Sequence, residues 1–88
     1  MTASEWKNQP SKLDASSRSA ALLGRNITYL RKSQHLNKQT FSLMVGISRP
    51  YLNGIVSGRV DTPVSVIERI ADALSVEIGV LFQPELDS

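Results

Sequence analysis

Residues 37–58 read NKQTFSLMVGISRPYLNGIVSG, and this stretch decides the fold. Asn37 is a short polar side chain placed to cap a helix by accepting from a backbone N–H just inside it. Phe41, Met44 and Val45 then recur at helical spacing and share one face. Gly46 ends that helix, because the residue past a helix end often takes positive φ and glycine does so without a steric penalty. Ser48 caps a second helix almost at once, with Leu52 and Ile55 pointing inward and Gly58 as the next stop. Pro50 becomes the second residue of this helix, where its missing N–H removes no intrahelical bond. It leaves the Tyr51 N–H as the donor for Ser48, and it biases Arg49 away from helical geometry.

The same reading extends outward. From Ala20 the chain turns helical, with Leu23, Ile27 and Leu30 on one stripe and Leu22 beside it. Ser19 is the expected N-cap of this first helix, which runs to Ser33 or Gln34. Downstream, Thr62 is the expected N-cap of a helix with Pro63 at its first position, presenting Val66 or Ile67, Ile70, Ala71 and Leu74. A break near Ser75 leads to Ile78, Leu81 and Phe82, which suit a short closing helix before Pro84, weakened internally by Gly79. The expectation is an all-α, compact five-helix bundle. Residues 1–19 form an N-terminal arm, 20–83 the folded domain and 84–88 a C-terminal tail. Within the arm, Trp6 is expected to fold back onto the domain or a partner subunit, with a short helical turn near Trp6 or Leu13. The alternative has the arm cross a phosphate backbone with Lys7, Lys12 and Arg18.

Composition narrows the chemistry. The 88 residues suffice for one modest domain. With no cysteine, disulfides, thiolate catalysis and cysteine-rich zinc sites are excluded, and His35 alone makes no metal site. His35 is expected at the end of the first helix, exposed or capping it. No cofactor is expected. An enzyme is not expected either, since there is one histidine, no paired acids at pocket spacing and no phosphate-binding glycine loop. No apolar run is long enough to span a bilayer and no signal-peptide core opens the chain, so the cytoplasm is the expected compartment, with no membrane partner. The net charge is only +2, but its distribution is uneven. Residues 20–63 carry Arg25, Arg31, Lys32, Lys38, Arg49 and Arg59 against Asp61, whereas residues 64–88 carry Arg69 against five acids. A basic part backed by an acidic end suits a face turned toward phosphates.

Helices 38–45 and 48–57, joined by so few residues, must turn sharply against one another. Close packing there calls for a small residue, a turn glycine and two apolar anchors, which Ser42, Gly46, Leu52 and Ile55 supply. This is the pattern of a helix-turn-helix, in which the first helix braces the DNA backbone and the second enters the major groove. The segments LRKSQHLNKQTFSLMVGISRPYLNGIVSG and TPVSVIERIADALSVEIGVLF resemble the five-helix DNA-binding domain of the lambda repressor and Cro family, also called the XRE family. The resemblance runs from Ile27 to Phe82, with ADALSV before the last helix especially typical. It implies a homodimer on a palindromic double-stranded DNA operator, acting as a transcriptional repressor or regulator.

Within that frame Arg49, Pro50, Asn53 and Gly54 should face base edges. Arg49 could bind guanine O6 and N7 bidentately, and Asn53 could pair with adenine or reach a phosphate. Tyr51 could donate to a phosphate or meet a thymine methyl, or it could simply pack between helices; for Arg49 the plain alternative is a solvated charge. Asn37, Lys38 and Gln39 open the bracing helix, where backbone N–H groups favour an anion. The resemblance implies a glutamine grip on the backbone where Lys38 stands, and lysine serves there as a point charge. Arg59 and, near the first helix, Arg18 and Arg25 are further phosphate candidates. Val76, Val80, Leu81 and Phe82 offer apolar surface for a dimer contact, or else pack in the core.

Several positions depart from the family pattern. Ser42 replaces an alanine, with a hydroxyl able to bond the carbonyl four residues back. Gly54 replaces a long polar reader, and Val56 replaces a glutamate that would pair with Arg31, leaving Arg31 for solvent or phosphate. These changes, with Pro50, thin the base-reading surface. They motivate the competing expectation of a protein-interaction module on the same fold: an antitoxin, an antirepressor or a polymerase adaptor.

Overall fold

The structure, a computed structural model, describes residues 18–84 and Leu86. The expectations for Trp6, Lys7, Lys12 and Leu13 lie outside the described residues. Among the described residues four α-helices follow in order: α1 (Arg18–Ser33), α2 (Lys38–Val45), α3 (Arg49–Val56) and α4 (Val64–Leu74), closed by a 3-10 helix, Ile78–Phe82. The short closing helix expected as the fifth is thus a five-residue 3-10 helix, not a further α-helix. Only a few residues separate the left-handed Ser75 from Pro84, and they close with i to i+3 bonds such as Val80 N–H to Glu77 O at 3.0 Å.

Each helix end can be traced to its residues. The Asn37 side chain accepts from the Thr40 N–H at 2.8 Å, and Ser48 accepts from the Tyr51 N–H at 3.2 Å, so both central caps form as the sequence indicates. Arg49 is nonetheless helical, Pro50 costing no hydrogen bond in the first turn. Two outer caps are corrected. Ser19 lies inside α1, which already includes Arg18. Pro63, not Thr62, holds the cap position of α4 and its carbonyl accepts from the Ile67 N–H at 3.1 Å; lacking an N–H, proline loses nothing in either register. At their C-termini all four α-helices end alike. His35, Gly46, Gly58 and Ser75 have positive φ. The next residue in each case bonds back five positions, as Leu36 N–H does to Arg31 O and Ile47 N–H to Ser42 O, both at 3.0 Å. His35 is exposed there, at the end of α1.

The core is one cluster. Ile27, Phe41, Leu52, Ile55, Ile70, Leu74 and Leu81 are essentially without exposure, and each such side chain is worth about 1.5–3 kcal/mol of transfer free energy. Both Val66 and Ile67 are buried on α4. Helix α1 packs on α3 and on the closing 3-10 helix, while α2 packs on α4 and α3. Met44 does not join the core face. It is 50% exposed beside Leu43 at 71%, because Phe41, Ser42 and Val45 already fill the inner side of the two-turn α2. Ser42 is buried with its hydroxyl bonded to Gln39 O at 3.0 Å, three residues back and not four. Leu81 has no surface left to offer a partner subunit.

Long-range polar bonds pin the elements. Asn26 Nδ2 donates to Leu81 O and Gln83 O, both at 2.9 Å, tying α1 to the closing turn, while its Oδ1 is buried without a partner. Gln34 Nε2 donates to Leu74 O at 2.8 Å, and Arg69 on α4 donates to Val45 O at 3.0 Å and Gly46 O at 3.2 Å. Carbonyls orphaned at the ends of α4 and α2 are thus satisfied from other helices. Arg31 is corrected as well: it is 8% exposed and bonds Leu36 O at 2.7 Å, holding the α1–α2 link instead of standing in solvent.

Candidate nucleic-acid interface

The short α3 buries Leu52, Gly54 and Ile55 and turns its other side outward. Arg49 and Pro50 are exposed at its N-terminus; Tyr51 and Asn53 are half-buried. The alternation follows from helix geometry, since positions 52 and 55 share the face turned to the core. Gly54 belongs to that inner side. A Cβ there would lie 3.1 Å from Val60 Cγ1, so this glycine faces the loop after α3 and cannot meet a base edge. Its carbonyl accepts from Arg59 N–H at 3.0 Å and from the Ser57 hydroxyl at 3.1 Å, closing the helix end.

Helix α2 supplies the flank. Asn37 and Gln39 are exposed, although the Asn37 side-chain Oδ1 is engaged as the cap. Lys38 reaches across to α3, its Nζ donating to Asn53 Oδ1 at 3.1 Å. The structure thus joins two residues that the sequence places in separate roles. Arg59 is exposed and its Nε bonds Ser57 Oγ at 3.0 Å, which steadies the guanidinium just past α3. Arg18 and Arg25 lie together on α1 around a shallow groove with Pro84, whose carbonyl accepts from Arg25 Nη2 at 2.7 Å. At the closing turn Val76, Val80 and Phe82 are half-buried and Ile78 is 38% exposed.

Three residues that build this face escaped the sequence reading. Gly24 lets α1 touch the backbone of α3: a Cβ there would fall 2.9 Å from Val56 Cα and closer still to the Val56 carbonyl. An isolated glycine inside a helical pattern was the available signal for such an approach. Arg69 fixes the turn between α2 and α3 through Val45 O and Gly46 O, and Asn26 anchors α1, on which α3 packs, to the closing turn; neither has a local signature. Among the described residues no group of three or more His, Cys, Asp or Glu could hold a metal, and no helix is long and apolar enough to cross a membrane.

A capped bracing helix, a glycine turn and a second helix with an open outer side define a helix-turn-helix unit. The chain belongs to the helix-turn-helix family HTH_3, whose model matches residues 27–81. Among solved structures it is similar to the restriction-modification controller protein C.AhdI from Aeromonas hydrophila, with 26% identity and a TM-score of 0.71 over 75% of this chain and all of that one. It is equally similar to the hypothetical transcription factor NHTF from Neisseria, with 26% identity and a TM-score of 0.72 over 88% of each chain. The fold is shared too with an HTH_3 family transcriptional regulator from Vibrio cholerae, at 22% identity and a TM-score of 0.68, over 73% of this chain and 36% of that one. No curated protein sequence matches it.

Proposed function

We propose that the protein binds double-stranded DNA sequence-specifically, as a cytoplasmic transcriptional regulator or repressor of the lambda repressor and Cro type. The observation that carries this reading is the outer side of α3, where Arg49 and Pro50 stand exposed while Leu52 and Ile55 lock the opposite side into the core. Arg49 reads a base edge, with guanine O6 and N7 the matching acceptors. Lys38, Gln39, Tyr51 and Arg59, with the N-terminus of α2 at Asn37, engage phosphates, and Arg18 and Arg25 add contacts from α1. The similarity to a controller protein and to a transcription factor supports the regulatory role.

A single eight-residue helix covers little DNA, so the chain acts as a homodimer on a palindromic operator with half-sites about 34–36 Å apart. Val76, Val80 and Phe82, with the exposed Ile78, form the dimer contact. Equilibrium binding to duplex DNA tests the reading: affinity should fall steeply with salt and drop on Arg49→Ala and Lys38→Ala. Binding that ignores both substitutions overturns it.

A second reading, a protein-interaction module such as an antitoxin, antirepressor or polymerase adaptor, is favoured by one observation. Leu43 and Met44 stand exposed side by side on α2. A tight complex with another protein that survives Arg49→Ala and Lys38→Ala, with no duplex binding, would select this second reading.

A further inference from the structure

The bond between Lys38 Nζ and Asn53 Oδ1 settles which way the Asn53 amide points. An ammonium group carries three donors and no acceptor, so the atom facing it must be the carbonyl oxygen. The NH2 branch then points away from Lys38 with both N–H groups available, and no partner within the described residues takes them. Lys38 spends one N–H on this bond and keeps the others.

The outward side of α3 has the same polarity. The α3 sequence RPYLNGIV contains no Asp, Glu, Gln, Ser or Thr, and the Ser48 oxygen before it is engaged by the Tyr51 N–H. Arg49 adds a guanidinium with donors only. Gly54, buried against Val60, adds nothing. On α3 itself the outward side therefore offers donors, the Tyr51 hydroxyl aside, and the helix's one amide oxygen, that of Asn53, already carries a cation.

Resting on the DNA-binding reading above, we infer that Lys38 is a specificity-positioning residue: by holding the Asn53 oxygen it turns Asn53 from an adenine reader into a donor for guanine. In the major groove guanine presents two adjacent acceptors, N7 and O6. Adenine pairs with an asparagine through N7 and its N6 amino group together, and that amino group needs the asparagine oxygen. Oδ1 keeps a second lone pair, but with the ammonium on the first the adenine amino group would bring its own positive hydrogens against a full positive charge. Cytosine presents its N4 donor, for which this face has no carboxylate. Each half-site should thus carry guanine at the position Asn53 reads, in addition to any guanine bound by Arg49.

Selection from randomised duplexes, with the wild-type chain and with Lys38→Met, Asn53→Ala, Asn53→Asp and Arg59→Ala, tests the assignment. In the wild type, the base whose preference disappears with Asn53→Ala should be guanine. Placing 7-deazaguanine there, which removes the N7 acceptor, should weaken binding about 5- to 150-fold, the range of one good base contact. Lys38→Met should let adenine replace guanine at that position, whereas Arg59→Ala should weaken all sequences alike. Asn53→Asp keeps the bond to Lys38 but presents an acceptor outward, so guanine should give way to cytosine. Adenine or cytosine at that position in the wild type, or an unchanged guanine preference in both Lys38→Met and Asn53→Asp, overturns the inference while leaving DNA binding standing. A wild-type chain that enriches no duplex overturns the DNA-binding reading itself, and the inference with it.

Discussion

At the scale of single residues, three glycines on different elements separate space from conformation. Gly24 has Val56 backbone where its Cβ would go, so α1 and α3 would have to move apart to admit one. Gly24→Ala should therefore cost about 3 kcal/mol or more, read as the loss of unfolding free energy in urea. Gly54→Ala meets only the Val60 side chain at 3.1 Å and should cost less. Gly79→Ala meets nothing within 4 Å and has ordinary φ, so it should raise stability by about 0.5–1 kcal/mol. A similar cost for all three would show that α1 and α3 are not in close contact at Gly24. Asn26 is the polar counterpart. Its NH2 group serves Leu81 O and Gln83 O from the opposite end of the chain, and Asn26→Ala should cost about 1–3 kcal/mol by stranding a buried carbonyl. Local pattern reading cannot see such a residue, since a polar side chain between Leu23 and Ile27 looks like part of a solvated face.

At the scale of elements, the helices are bounded by devices that differ in cost. Ser48→Ala removes the acceptor for the Tyr51 N–H and should lower stability by about 1 kcal/mol, measured by thermal unfolding. The end of α4 works the other way. Ser75 holds φ 59, a left-handed conformation that a side chain disfavours, so Ser75→Gly should stabilise by about 1 kcal/mol. A loss would mean that the Ser75 side chain contributes more than its backbone strain removes. The caps at Asn37 and Ser48 and the stops at Gly46 and Gly58 were legible because capping involves residues within one turn of each other. The closing segment was misjudged for a related reason: periodicity shows that Ile78 and Leu81 sit three apart, which an α-helix and a 3-10 helix both satisfy. The two differ in which carbonyl each N–H meets, and the bond from Val80 N–H to Glu77 O, three residues back, is not written in the spacing.

At the scale of the whole molecule, the uneven charge and the outward α3 make a quantitative expectation. If the dimer neutralises about 6–10 phosphates, the logarithm of its affinity should fall with the logarithm of salt at a slope of about −5 to −9, and a slope near zero would remove the electrostatic basis of the proposal. Sedimentation should show a dimer in the presence of duplex, and a monomer under all conditions would overturn the palindrome. The residues alone sufficed for the central caps at Asn37 and Ser48, the stops at Gly46 and Gly58 and most of each apolar stripe, because those properties depend on neighbours within about four residues along the chain. The tertiary structure alone decided which polar groups face the site. Arg31 turns inward to Leu36, Arg69 crosses 24 positions to Val45, and Lys38 meets Asn53 across the turn. Such pairings arise only once packing has set the distance between helices, and a buried carbonyl or an exposed amide takes whichever donor that distance allows.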